Sequence, residues 1–394
     1  MHECYSDPYR KEFSTNVVEA SGSSISISPN FFFPGGGGQA SDRGEISWEG
    51  GKAKVVDVVE EAGRVRLKID GTAPSAGTEV KCSIDWARRH PLMKAHTSEH
   101  MLFQALSRQF PGIQPEKVTL EPGAFSLFIR HSGHLDWDKV LAAEKLVNGI
   151  IREDSMVREA VVGKSDVSGD VRIKMERLAG EADVRIVEVE GFDKVACSGL
   201  HVKNTGEVGV FCVQRITSDR PGIWKIDFLV GDDALGFLLE SSKAALSSVQ
   251  ILGTGLDRLE KTLINAKERE AQALIAMKEL AEMAFEALKP EEKNGLHLYL
   301  RIFPAMEPKI LQEWASKLAR KEKTAVLFAV RGTERAFLLF GKSKDVGIDV
   351  KTLGAEAFRL MGGKGGGNEF FVSGGGDPAK LGDAVKFLTL SLAG

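Results

Sequence analysis

Between Asp232 and Lys289 the chain carries a helical pattern, and this dictates how everything else must be partitioned. Leu256, Leu259, Leu263, Leu274, Met277, Leu280, Ala284 and Leu288 recur at three- and four-residue steps, with Glu260, Lys261, Lys267, Glu268 and Glu270 on the other faces. A stripe of this kind is a core face or a coiled-coil seam. Gly253 and Gly255 break it, and Pro290, which has no N–H to donate, ends it. The segment reads as a spacer. A chain of 394 residues is then expected to hold two or three domains, each with its own core.

The flanks differ in character. Residues 13–80 alternate apolar and polar residues and are rich in β-branched side chains, as in VVEASGSSISISP and AKVVDVVEEAGRVRLKID. They predict a small barrel-like β-domain. Inside it lies FFFPGGGGQASDRG, whose run of glycines at 35–38 belongs to no regular element. Such a run serves a long turn, or close approach of backbone to a ligand. Helices are expected over 91–110 and 135–152, and strands near 184–189 and 208–216. After the arm, LHLYLRIF, KTAVLFAV and RAFLLFG predict strands, with helices at 307–320 and 377–391. The expected fold is α+β multidomain: an N-terminal β-domain (1–90), an α+β metal-binding domain (91–235), a helical arm (236–290) and a C-terminal α/β domain (291–394).

A net charge of −3 offers no global positive field, so any RNA contact must come from local patches. Arg88, Arg89 and Lys94 form one candidate patch; Lys317, Arg320, Lys321 and Lys323 form another, though a charge run is often only a solvated face. Four cysteines, at 4, 82, 197 and 212, make a poor disulfide framework and suit a reducing compartment. The N-terminus MHECYSDPYRKEF has no apolar core of a signal peptide. A cytoplasmic protein is the expectation.

The chemistry lies in KAHTSEHMLF and, about a hundred residues on, KVACSGLHVKNTGEVGVF. His96 and His100 are one helical turn apart and share a face. Cys197 and His201 flank a glycine-containing turn. Either pair alone is also what core histidines, or a buried cysteine beside a loop-capping histidine, would look like. Together they supply three nitrogens and one sulfur, a set that suits tetrahedral Zn²⁺.

HTSEH followed by CSGLHVKNTGEVG resembles the editing domain of alanyl-tRNA synthetase and its free-standing relatives, the AlaX proteins. FFFPGGGGQASDRG resembles the family's glycine-rich loop, IDWARRHPLMKAH its lead into the metal helix, and RPGIWKIDFLVGDDAL the segment closing the editing domain. MGGKGGGNEFFVSGGG at 361–376 resembles the glycine-rich loop of the synthetase's C-terminal domain. The order along the chain is that of the long form, without an aminoacylation core. The resemblance implies a zinc-dependent hydrolase that removes serine, or glycine, wrongly esterified to tRNA(Ala). It implies His96, His100, Cys197 and His201 as zinc ligands, Gln39 as a wall of the pocket, and Asn30 where the family has a Thr that contacts the serine hydroxyl. Ser198 and Leu200 replace the family's Gly and Thr, so a hydroxyl near the metal is lost. A closed shell of four ligands leaves three modes of action: a fifth ligand, loss of one ligand, or a metal that only orients the substrate. The alternative function is a tRNA-binding or dimerisation protein with a degenerate site. Lys364, in the C-terminal glycine loop, is a candidate phosphate contact on an anion-binding nest. GKS at 341–343 is no Walker A loop, since Ala336 stands where a glycine is required. A homodimer joined through the arm or the last domain is expected.

Overall fold

The computed structural model describes residues 2–61, 63–173 and 183–392, which fall into two compact units, Met1–Ile251 and Leu252–Gly394. In the first unit, six strands close into a barrel: β1 (Glu12–Ser21), β2 (Ser24–Ser28), β3 (Gly44–Trp48), β4 (Gly51–Glu61), β5 (Arg64–Asp70) and β6 (Glu79–Ile84), in the order β1-β2-β5-β4-β3-β6. The alternation in sequence becomes inside and outside. Along β6, Val80, Cys82 and Ile84 are buried while Glu79, Lys81 and Ser83 are exposed. Phe13, Val17, Ile25, Ile46, Val55, Leu67 and Ile69 complete the barrel core.

Helix α1 (Trp86–Gln109) follows at once, its first turn capped by Asp85, whose side chain accepts from the Arg88 N–H. It starts five residues before the expected 91, and Pro91 lies inside it. The cap outweighs the proline's lost hydrogen bond as a start signal. Its residues from Leu92 to Leu106 are almost all buried. Around it fold β7 (Gln114–Glu121), β8 (Ala124–Arg130), α2 (Trp137–Glu153), β9 (Val157–Gly163), β10 (Asp183–Val189), β11 (Asp193–Ala196), β12 (Phe211–Arg220) and β13 (Ile223–Val230). They make a four-stranded sheet, β12-β13-β8-β7, and a three-stranded one, β11-β10-β9. Met93, Met101, Leu102, Leu106, Leu127, Val147, Phe211 and Phe228 form the shared core. Helix α3 (Gly231–Leu252) then leaves this body, with only Ala234 fully buried. The β7–β8 hairpin and β9 had no sequence expectation.

The second unit begins with α4 (Leu259–Glu286). The break at Gly253–Gly255 is where the sequence put it. Of the α4 residues only Ala281 and Phe285 are buried, and Leu263, Ile264, Ile275, Leu280 and Met283 are exposed. Then come β14 (Glu291–Lys293), β15 (Leu296–Phe303), α5 (Pro308–Leu318), β16 (Thr324–Val330), β17 (Ala336–Lys342), α6 (Val350–Leu360), β18 (Lys364–Gly367), β19 (Phe371–Gly376) and α7 (Leu381–Ser391). One sheet runs β14-β15-β16-β17-β19-β18, with β15 and β16 parallel across α5. Every residue of β16 is buried because both sheet faces are covered. Leu327 and Phe340 meet Phe358 of α6 and Leu388 of α7 on one side; Phe328 and Leu339 meet Trp314 of α5 and Phe285 of α4 on the other.

The C-terminal glycine segment is not a loop. Lys364–Gly367 pairs antiparallel with Val372–Gly375 as an edge hairpin. A Cβ on Gly365 would come within 2.4 Å of the Phe358 ring, and one on Gly374 within 2.7 Å of the Gly365 Cα. The glycines serve close packing of strand on strand and on α6. A nest needs consecutive free N–H groups, and ladder pairing spends alternate ones. Lys364 is therefore an exposed strand residue rather than the anchor of a nest.

Candidate metal centre

The two motifs converge. One ligand atom from each of His96, His100, Cys197 and His201 lies within 4.8 Å of every other. His96 Nε2 is 3.2 Å and His201 Nε2 3.5 Å from the Cys197 Sγ. Helix α1 delivers His96 and His100 from one buried face. The turn after β11 delivers the other two.

The glycine loop is pinned against this turn. Gly36 and Gln39 exchange backbone hydrogen bonds across a tight turn, at 3.1 and 3.0 Å. Both central residues have positive φ, +61° at Gly37 and +86° at Gly38, which glycine alone adopts cheaply. The loop then pairs with β7: Leu120 N–H donates to the Gly38 carbonyl at 2.8 Å, and Ala40 N–H to the Leu120 carbonyl at 3.0 Å. Gly199 is equally constrained, because a Cβ there would lie 2.0 Å from the His96 ring.

Gln39 bridges the two halves. Its Oε1 accepts from the Leu200 N–H at 3.0 Å and lies 2.9 Å from His96 Nδ1. A backbone N–H only donates, so the amide oxygen faces it, and the same oxygen makes His96 Nδ1 the protonated nitrogen. The Nε2 lone pair is thereby directed at the Cys197 sulfur. His201 Nδ1 meets the Thr97 hydroxyl at 3.2 Å, and the same hydroxyl accepts from Val202 N–H at 3.3 Å. Thr97 thus places a hydroxyl beside the cluster, although Leu200 has none. The carbonyls of the Cys197 turn are also held. Arg185 donates to those of Cys197 and Gly199, both at 2.8 Å, and the Tyr5 hydroxyl donates to that of Ser198 at 2.8 Å.

Burial pushes the His96 pKa down to about 3 and those of His100 and His201 well below the ordinary histidine value. All three imidazoles are neutral at pH 7, the form that binds a metal. Burial also pushes the Cys197 thiol up to about 11, so a nearby cation is needed to hold it as thiolate. Gln39 Nε2 and His100 Nδ1 are buried without a hydrogen-bond partner. A buried polar atom is ordinarily partnered, and no described residue partners either of these. The donor set, its neutrality and the orphaned His100 nitrogen fit a divalent metal ion.

Other predicted residues are placed differently. Arg89 is fully buried and no RNA contact: all of its donors are spent on the Asp42 carboxylate and the carbonyls of Pro8, Arg10 and Phe31. It ties α1 to the barrel. Asn30 is buried and closes a turn on Phe32, its Oδ1 accepting from the Phe32 N–H at 3.0 Å. Its amide is not free to meet a substrate hydroxyl there. Arg88 and Lys94 are half-buried, with Arg88 Nε donating to the Ser41 carbonyl. Thr97, Arg185 and Tyr5 carried no sequence expectation. A hydroxyl between two histidines on a buried helix face was a signal for Thr97; nothing in an alternating strand marks Arg185.

Residues 184–227 match the threonyl and alanyl tRNA synthetase second additional domain, and residues 293–393 match the DHHA1 domain. The alanine–tRNA ligase of Pyrobaculum neutrophilum is 27% identical over 97% of this chain, which spans only 43% of that protein. The alanyl-tRNA editing protein AlaX-L of Pyrococcus horikoshii is 27% identical over 94% of this chain and 93% of its own length. The chain is thus similar to a long-form AlaX protein over nearly the whole length of both. It spans less than half of the alanine–tRNA ligases it matches, but nearly all of the AlaX-L relative. The crystal structure of the C-Ala domain from Aquifex aeolicus alanyl-tRNA synthetase is 30% identical over 27% of this chain and 100% of that one, with a TM-score of 0.26. Among the described residues no helix is long and apolar enough to cross a membrane.

Proposed function

We propose that this chain is a trans-acting aminoacyl-tRNA deacylase that hydrolyses the ester of serine, and secondarily of glycine, on tRNA(Ala), with Zn²⁺ held by His96, His100, Cys197 and His201. The observation that carries the reading is the convergence of these four side chains beside Gln39. A pocket built for alanine discriminates poorly against an added hydroxyl or a missing methyl, differences worth only about 1–3 kcal/mol, so a second hydrolytic site is needed. When bound, the metal ion supplies a Lewis acid or an anchor for the substrate's amino group or ester.

The chain's own groups do the rest. Gln39 Oε1 fixes the His96 tautomer, leaving the Gln39 Nε2–H₂ as a donor for the ester carbonyl. Thr97 orients His201, and Arg185 and Tyr5 hold the Cys197 turn. Burial keeps the three imidazoles unprotonated. With the Asn30 amide spent on Phe32, selection of the serine hydroxyl falls to other groups. The apolar side chains exposed on α4 support a homodimer, and the four free cysteines support a cytoplasmic setting.

The test is release of amino acid from Ser-, Gly- and Ala-tRNA(Ala), with metal measured on the same sample. The expected order is serine, then glycine, with alanine spared. Full activity in folded, metal-free protein would overturn the metal's role. RNA affinity without turnover would leave a binding protein with a degenerate site.

A further inference from the structure

Beside the metal centre, the first turns of α1, the N-terminal segment and the 201–207 turn enclose an aromatic cluster. Trp86 and His90 stack with ring centroids 4.8 Å apart, and Tyr9 lies 5.5 Å from Trp86 and 6.3 Å from His90. Two ammonium groups rest on it. Lys11 Nζ sits 4.8 Å from the centre of the Trp86 ring, and Lys203 Nζ 4.6 Å from that of Tyr9. Lys94 stands one helical turn beyond His90, close enough to help keep that imidazole neutral.

Among the described residues none of these three lysines has a carboxylate within 4.0 Å. The carboxylates nearby are engaged otherwise. Glu207 takes the Tyr9 hydroxyl, His90 and the N–H groups of Lys203 and Asn204; Asp85 caps α1; Asp7 pairs with Arg10. The physical consequence is specific. An ion pair fixes a lysine but cancels its charge, whereas an aromatic face fixes it and leaves the charge intact. A chain with a net charge of −3 thus presents two lysines fixed on rings without an ion-pair partner, Lys11 and Lys203, and a third, Lys94, that also has none among the described residues.

Lys94 and Lys203 are each two residues from a histidine of the metal centre. From this we infer that Lys11 and Lys203, held on the Trp86 and Tyr9 rings, together with Lys94 one turn beyond His90, bind the phosphodiester backbone of an RNA strand leading to that centre. The inference rests on the proposed deacylase reading for its choice of RNA over another polyanion.

The experiment measures affinity of the full chain for an acceptor-stem RNA hairpin ending in CCA, by fluorescence anisotropy over a range of KCl concentrations. The variants are the triple Lys→Gln, the triple Lys→Arg, and Trp86→Leu, with metal content and thermal unfolding recorded for each. Each phosphate contact contributes about 0.7–0.9 to the slope of log affinity against log salt. The triple Lys→Gln protein is expected to lose about 2–3 in that slope and at least about tenfold in affinity at low salt, while Lys→Arg retains both. Trp86→Leu, which frees Lys11 without removing it, is expected to weaken binding with a smaller change in slope. If Lys→Gln retains the wild-type slope, the inference fails while the deacylase reading stands. If the wild-type chain binds no RNA hairpin at any salt, both fall.

Discussion

At the scale of the residue, the site is decided by hydrogen bonds behind the ligands. Gln39 sets which nitrogen of His96 carries the proton, and an outer partner of this kind is typically worth 10–100-fold in metal affinity. Gln39→Ala is expected to weaken metal binding by about that factor, read by competition with a chromogenic chelator, with the barrel and its unfolding midpoint little changed. The buried imidazoles make a second expectation. Folded His96 takes up a proton only near pH 3, whereas in the unfolded chain it does so near 6.5. Below 6.5 the unfolded state therefore binds more protons, and stability falls as pH falls. Metal-free protein is expected to lose thermal stability steadily from pH 7 to 5, and much less between pH 7 and 8. A flat profile would mean that the imidazoles are already solvated. Arg89 belongs at this scale too. Removing one member of a buried ion pair leaves the other charge uncompensated, so Asp42→Asn is expected to cost about 3–5 kcal/mol in chemical denaturation.

At the scale of the element, glycine runs and periodicities were legible to different degrees. The arm was legible because its stripe is long and its breaks are marked by Gly253, Gly255 and Pro290. Helix α1 was displaced by five residues because a cap and a proline compete at its start. The hairpin of β18 and β19 was read as a loop because glycine carries no face to alternate. Only the neighbouring ring of Phe358 explains why side chains are missing there. Local pattern sees propensity, and it does not see what lies across the gap.

At the scale of the whole molecule, each unit has its own cores: the barrel and the α1 core in one, the two faces of the mixed sheet in the other. Calorimetry is expected to resolve two transitions, and stripping the metal should lower only the one belonging to residues 1–251, by the mass action of a ligand that binds the folded form. A single transition that shifts as one would contradict this.

Composition, order of motifs and the spacing of His96, His100, Cys197 and His201 were enough to nominate the ligand set, because ligand chemistry is a property of side-chain type. The barrel and the arm were likewise written in periods of two and 3.6, which depend only on neighbours along the chain. Tertiary structure alone decided that Gln39 answers to His96 and Leu200, that Arg89 faces Asp42 rather than solvent, that Asn30 turns back on Phe32, and that Lys11 and Lys203 rest on rings. Each of those is a distance between segments, and such a distance is fixed by how cores pack.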